Sequence, residues 1–171
     1  MEKFRLLEAA EVTVEAYRDL RLEALREEPQ AFGSSYSDQK GRSTDEWQHY
    51  LKGYIEGKKS WMVFASDGEK LIGMLGAFRT ENDADKKAQI IAVYVTKAAR
   101  GKGVGKLLLK SLLDKLTKET DIKKLTLAVN VEQTAALKLY ESFGFTITGK
   151  ESMVLGDGIK HAEYLMERAI S

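Results

Sequence analysis

Ile90-Ile91-Ala92-Val93-Tyr94-Val95 leads through Thr96 into Lys97-Ala98-Ala99-Arg100-Gly101-Lys102-Gly103-Val104-Gly105, and Lys106-Leu107-Leu108-Leu109 follows. The first six residues are continuously apolar and rich in β-branched side chains, which predicts a central strand covered on both faces. Leu108, Leu109, Leu112, Leu113 and Leu116 then recur at three- and four-residue spacings, the mark of a one-faced helix. Leu125 to Val129 is again strand-like. Segment 90–129 therefore reads as strand, helix, strand, whose two strands should lie parallel with a right-handed crossover.

Upstream, Trp61 to Ala65 and Leu71 to Phe78 flank Ser66-Asp67-Gly68-Glu69-Lys70, an antiparallel hairpin turned at Asp-Gly. Phe4 to Leu7 suits a short first strand. Tyr17, Leu20, Ala24 and Leu25 stripe a helix from Thr13 to Glu28, which the only proline, Pro29, stops. Ser43 and Glu46 form a capping box for a second helix, with Trp47, Tyr50, Leu51, Tyr54 and Ile55 on one apolar face. Those aromatics read as anchors to the core rather than as a ligand cage. Thr80 to Lys87 is a polar loop. Downstream, Ala136, Leu139, Tyr140 and Phe143 mark a helix closed by Gly144. Phe145 to Thr148 and His161 to Met166 make a last strand pair around Gly156-Asp157-Gly158. The sheet is thus mixed α/β and mostly antiparallel.

The chain has 171 residues, with 27 basic and 26 acidic side chains and no cysteine. That length fits one domain, residues 1–171, because no Gly/Ser/Pro-rich linker or repeat divides it. A formal charge of +1 gives no general electrostatic case for nucleic acid or a membrane surface. Lack of cysteine excludes disulfides, a thiol nucleophile and thiolate metal ligands. No apolar run reaches the roughly 18 residues of a membrane helix, and the N-terminus carries Glu2, Lys3 and Arg5 where a signal peptide would be apolar. A cytoplasmic location is expected. Two histidines without a supporting pattern leave no metal site to expect.

Near-neutrality overall hides a local excess of charge. Lys97, Arg100, Lys102, Lys106 and Lys110 fall between positions 97 and 110 without one acid. Three glycines stand where a strand ends and a helix begins, so backbone N–H groups there can converge on a phosphate or pyrophosphate. A Walker A loop does not fit: Gly101 to Gly105 encloses three residues instead of four, and Leu107 occupies the hydroxyl position. A dinucleotide fingerprint does not fit either, since its third glycine would fall on Lys106 or Leu108. Arg-x-x-Gly-x-Gly does fit, with Arg100, Gly103 and Gly105.

About thirty residues on, the strand from Leu125 to Val129 is followed by a helix carrying Ala135 and Leu139-Tyr140, and then by Gly144-Phe145. The Leu-Tyr-x-x-x-Gly-Phe ending, together with the glycine turn, resembles the GNAT superfamily of N-acetyltransferases. The first helix and its exit, from Leu20 to Ser35, are similar to one branch of it. The resemblance implies a central mixed, mostly antiparallel sheet with a splayed parallel strand pair, flanked by about four helices. It also implies acetyl transfer from acetyl-CoA to a primary amine of a small molecule, peptide or protein, with no metal; a homodimer is compatible with it.

Residue by residue, the resemblance puts the pantetheine arm along Val93, Tyr94 and Val95, and the pyrophosphate on Arg100, Gly101, Lys102, Gly103, Val104, Gly105 and Lys106. Tyr140 becomes the general acid, since a phenol with a reference pKa of about 10 stays protonated near neutrality and can donate to a departing thiolate; simple packing is the competing role. Many relatives have Asn seven residues before the tyrosine, where this chain has Gln133, while Asn130 ends the preceding strand. Either amide can reach the coenzyme, and Asn130 can equally be a turn or capping residue. The usual carboxylate before the glycine turn is missing from Gln89-Ile90-Ile91-Ala92, which leaves ordered water, Glu81, Asp83 or Glu163 to take the proton. The same gap admits a second function, an acyl-CoA sensor with weak catalysis.

Overall fold

The computed structural model describes residues 4–170. A short edge strand, β1 (Arg5–Glu8), precedes α1 (Val14–Glu27), α2 (Tyr36–Gln39) and α3 (Thr44–Glu56). Thr13 caps α1 by accepting from the Ala16 N–H at 3.1 Å. At α3 the expected capping box closes, Ser43 Oγ accepting from Glu46 N–H at 3.2 Å and Glu46 Oε2 from Ser43 N–H at 2.7 Å. The hairpin follows as β2 (Ser60–Ser66) and β3 (Leu71–Arg79), then β4 (Lys87–Val95), α4 (Val104–Glu119), β5 (Lys124–Asn130), α5 (Thr134–Ser142), β6 (Thr146–Val154) and β7 (Lys160–Ala169).

All seven strands form one sheet in the order β1-β2-β3-β4-β5-β7-β6. Only β4 and β5 pair in parallel; every other pair is antiparallel. The period-two side-chain alternation of β2 divides the interior. Trp61, Val63 and Ala65 face a core with the leucine stripe of α4, while Met62 and Phe64 face a second core with Tyr17, Leu20, Leu25 and Trp47 of α1 and α3. Helices on both faces bury Trp61 to Ala65 and Ile72 to Ala77, so these strands read as apolar runs rather than as alternation, while Phe78 near the end of β3 stays exposed. All five stripe leucines of α4 are buried, Leu108, Leu109, Leu112 and Leu116 fully so.

Two expectations need correction. The α3 stripe is not all core: Trp47 and Leu51 are buried, but Tyr50 and Ile55 are 41% and 50% exposed. Nor is β4 covered on both faces. Ile90 and Tyr94 are buried, whereas Ile91, Ala92, Val93 and Val95 are only half-buried. The physical reason lies in strand pairing. The β4–β5 ladder holds Lys87 to Lys124, Ala88 to Leu125 and Gln89 to Thr126, and goes no further. Beyond Gln89 the two strands splay. On its other side β4 carries an extra residue against β3, its register shifting between the Met74–Tyr94 and Gly76–Ile91 pairs. Ala92 adopts φ 58° within that bulge, uncommon for a residue with a Cβ.

A cleft between the splayed strands

The gap between β4 and β5 opens into a cleft of about 490 Å³. Gln89 to Val93 form one side, Leu127 to Asn130 the other, and Gln133, Ala136 and Tyr140 of α5 lie across it. Past Gln89, the backbone groups of β4 that face β5 have no strand to pair with. An extended chain entering the cleft can use them as a sheet edge.

Tyr140 lines this cleft although only 4% of it is exposed. Its ring stands edge-to-face on Phe145 with centroids 5.9 Å apart. Burial pushes the phenol up, so it stays protonated throughout the neutral range. Tyr140 therefore packs against the core and also lines the cleft.

At the far end of β4 the glycine turn takes its shape from two left-handed residues, Gly101 at φ 75° and Gly103 at φ 84°. A Cβ at either would meet nothing within 4 Å, so conformation and not crowding calls for glycine. Gly103 is the N-cap of α4 and offers no side chain to its N–H groups, and the first turn holds no acid. A 16-residue helix thus presents unsatisfied donors at its positive end. Gly105 sits against Leu139 and Val95, which brings this end of α4 to the mouth of the splay. Open space, unpaired donors and added lysine charge fit a pyrophosphate.

The expected cofactor residues do not all behave alike. Val93, Asn130, Gln133 and Tyr140 share the cleft, and Arg100 to Lys106 lie beyond its end. Tyr94 turns its side chain to α1, where its hydroxyl donates to Glu23 Oε2 at 2.9 Å, leaving only its backbone toward the splay. Val104 is buried against the sheet. Arg100 is held on the protein, Nε donating to the Val95 carbonyl oxygen at 3.0 Å and Nη2 lying 2.9 Å from Glu28. Lys102 and Lys106 are exposed. Asn130 is buried and already bonded: Nδ2 donates to the Gln30 carbonyl oxygen at 3.1 Å and Oδ1 accepts from Glu132 N–H at 3.0 Å. Gln133 precedes α5 without capping it by its side chain.

Of the three candidate carboxylate bases, Glu163 alone lines the cleft. It is buried on β7, directly opposite Asn130 of β5 and Glu151 of β6. Burial and then the Glu151 charge hold its carboxyl above the usual range. Asp83 instead faces Arg79, 3.9 Å away in the loop. His161 is paired with Asp157 at 2.7 Å and His49 is exposed on α3. The sequence did not point to Glu151, Arg21, Gln39, Arg42, Tyr50 or Tyr54 as cleft residues, yet all six line it. Among the described residues there is no cluster able to hold a metal ion, and no helix is long and apolar enough to cross a membrane.

Comparison with known proteins agrees with this geometry. The model of the Acetyltransferase (GNAT) family matches residues 17–145. N-acetyltransferase 8 of Homo sapiens is 28% identical over 101 residues, which is 58% of this chain and 44% of that protein. The chain thus aligns with less than half of that relative's length. Among solved structures, a GNAT-family acetyltransferase from Streptococcus pneumoniae superimposes with a TM-score of 0.82 at 19% identity, covering 99% of this chain and 100% of the other. The yncA protein of Salmonella typhimurium, solved with its cofactor acetyl-CoA, gives 0.79 at 18% identity over 99% of this chain and 94% of its own. With a splayed β4–β5 pair, a glycine turn opening α4 and a family match through both, the chain belongs to the acetyltransferase (GNAT) family.

Proposed function

We propose that this chain, as a single domain, transfers acetyl from acetyl-CoA directly to a primary amine. One observation carries the proposal: the β4–β5 ladder stops at Gln89 and Thr126, so an unpaired strand edge runs from the α4 N-terminus to a buried, cleft-lining tyrosine. Acetyl-CoA supplies a thioester and a pyrophosphate. The backbone N–H groups of Gly103 to Lys106, with Lys102 and Lys106 adding charge, suit the pyrophosphate. The free edge from Val93 to Val95 suits the amides of the pantetheine arm, and an N–H there suits the thioester oxygen as negative charge grows on it.

Three proton events then need residues. Glu163, kept basic by burial and Glu151, takes the proton of an incoming ammonium and leaves a neutral nucleophile. The amine nitrogen bonds to the carbonyl carbon, and the carbon–sulfur bond breaks. Tyr140 donates its phenolic proton to the departing sulfur, and the surplus proton of the newly acylated nitrogen returns to the Tyr140 phenolate, leaving a neutral amide and coenzyme A thiol. Although a buried phenol is a weak acid, a thiolate forming in the same apolar setting is destabilised too, which keeps the transfer near balance. No cysteine is available to carry a thioester intermediate, so direct transfer is the simpler course. Amine-dependent release of coenzyme A thiol, lowered at least about tenfold by Tyr140→Phe with acetyl-CoA binding retained, is the test; binding without release would instead indicate a sensor.

A further inference from the structure

The charged residues lining the cleft fall into two walls of opposite sign, one supplied by the helical segment of α1 to α3 and the other by the β6–β7 strand pair. Arg21 of α1 and Arg42 just before α3 stand on one, Glu151 and Glu163 on the other. Neither arginine makes an ion pair with any described residue, and no bridge among them crosses from one wall to the other. Arg21 is the more telling of the two. Its Nε donates to Gln39 Oε1 at 3.3 Å, its guanidinium lies 5.2 Å from the Phe32 ring centre, and its Nη1 is buried with no hydrogen-bond partner. Buried charged donors are almost always paired, because an unmade hydrogen bond there costs much of the lost hydration. Arg42 is held by aromatic rings, 4.6 Å from the centre of Tyr50 and 5.5 Å from that of Trp47. Burial, and more weakly the Arg42 charge, disfavour the Arg21 cation.

We infer that the acceptor is an amino acid, whose carboxylate lies against Arg21 and Arg42 while its amine faces Glu163 and Glu151. Planar guanidinium groups suit a carboxylate, which can accept two parallel hydrogen bonds from one of them. The carboxylate supplies the charge that the arginine wall lacks, and the ammonium supplies that which the glutamate wall lacks. A polyamine satisfies only the second wall and meets repulsion at the first. An amine without a carboxylate leaves the arginines unpaired, a loss that discriminates strongly in a buried site. This substrate class rests on the transferase function proposed above.

The test compares the twenty protein L-amino acids with their carboxamides and with spermidine, using the full chain, acetyl-CoA and thiol release. At least one amino acid is expected to exceed its carboxamide in kcat/KM by about 30-fold or more, and Arg42→Gln or Arg21→Met to bring that ratio within about threefold. Carboxamides or spermidine matching the best amino acid would overturn the assignment while leaving the transferase function intact. If acetyl-CoA binds and nothing releases thiol, transfer itself fails. Calorimetric titration of the amino acids onto the coenzyme A complex then decides: carboxylate-dependent binding lost in Arg42→Gln upholds the amino-acid site, and no binding overturns it.

Discussion

Arg100 joins the end of β4 to the end of α1: its Nη2 lies 2.9 Å from Glu28 Oε1 while its Nε donates to the Val95 carbonyl oxygen at 3.0 Å. The arginine of the glycine turn is thus a brace as much as a source of charge, and the two contributions separate by substitution. Both partners are partly exposed, so the ion pair itself contributes less than about 1 kcal/mol. Glu28→Gln should leave thermal stability nearly unchanged and alter KM for acetyl-CoA less than about threefold. Arg100→Ala also loses the anchor on Val95 and should raise that KM by about five- to twentyfold. Steady-state kinetics and thermal denaturation of the two variants check this.

Gly103 holds φ 84° at the N-cap of α4. A side chain there fits in space but strains the backbone, so Gly103→Ala should cost about 1–2 kcal/mol in denaturant unfolding. Acetyl-CoA affinity should fall with it, since the same residue aims the helix donors.

Gly76 differs in cause. A Cβ on it would come within 2.8 Å of the Trp61 carbonyl oxygen and 2.9 Å of the Met62 side chain. Gly76→Ala therefore overpacks the β2–β3 pair and should destabilise the fold by about 1–3 kcal/mol, read by denaturant unfolding.

Glu163 ties activity to pH. Its folded-state carboxyl sits above the ordinary range through burial and the facing Glu151, so the base form is lost as pH falls through that raised value. The acid limb of kcat/KM should lie above the ordinary glutamate range, and Glu151→Gln should move it to lower pH by removing the like charge. For stability the sign is opposite to that of a salt-bridged acid. A raised folded pKa favours the fold below the ordinary glutamate value, and that contribution is lost as pH rises through the raised one. Glu163→Gln should gain stability relative to the unsubstituted protein as pH rises across that window, measured by urea unfolding at several pH values.

How much of this could be read in the sequence follows from the range of each interaction. The strand, glycine turn and leucine stripe from Ile90 to Leu116 announce themselves, because apolar period, left-handed glycines and cap chemistry act over a few residues. The splay of β4 from β5 came from resemblance and not from composition. Ala92 looks like any strand residue, and its φ of 58° reflects a register shift against β3. Arg21 sits in an ordinary charged helix and Glu151 in a plain polar run. Only packing beside Phe32 and Gln39 gives the first its buried nitrogen, and only the β6–β7 register sets the second opposite Glu163. The acceptor wall is tertiary in origin, which is why the cofactor side was legible and the acceptor side was not.

The most direct measurement is amine-dependent release of coenzyme A thiol from acetyl-CoA, followed with the N-acetylated product by mass spectrometry. Thiol and acetylated amine should appear one for one, with turnover reduced about ten- to a hundredfold by Tyr140→Phe while acetyl-CoA binding changes little. Acetyl-CoA bound at the splay with no thiol released above the uncatalysed rate for any amine would contradict the account.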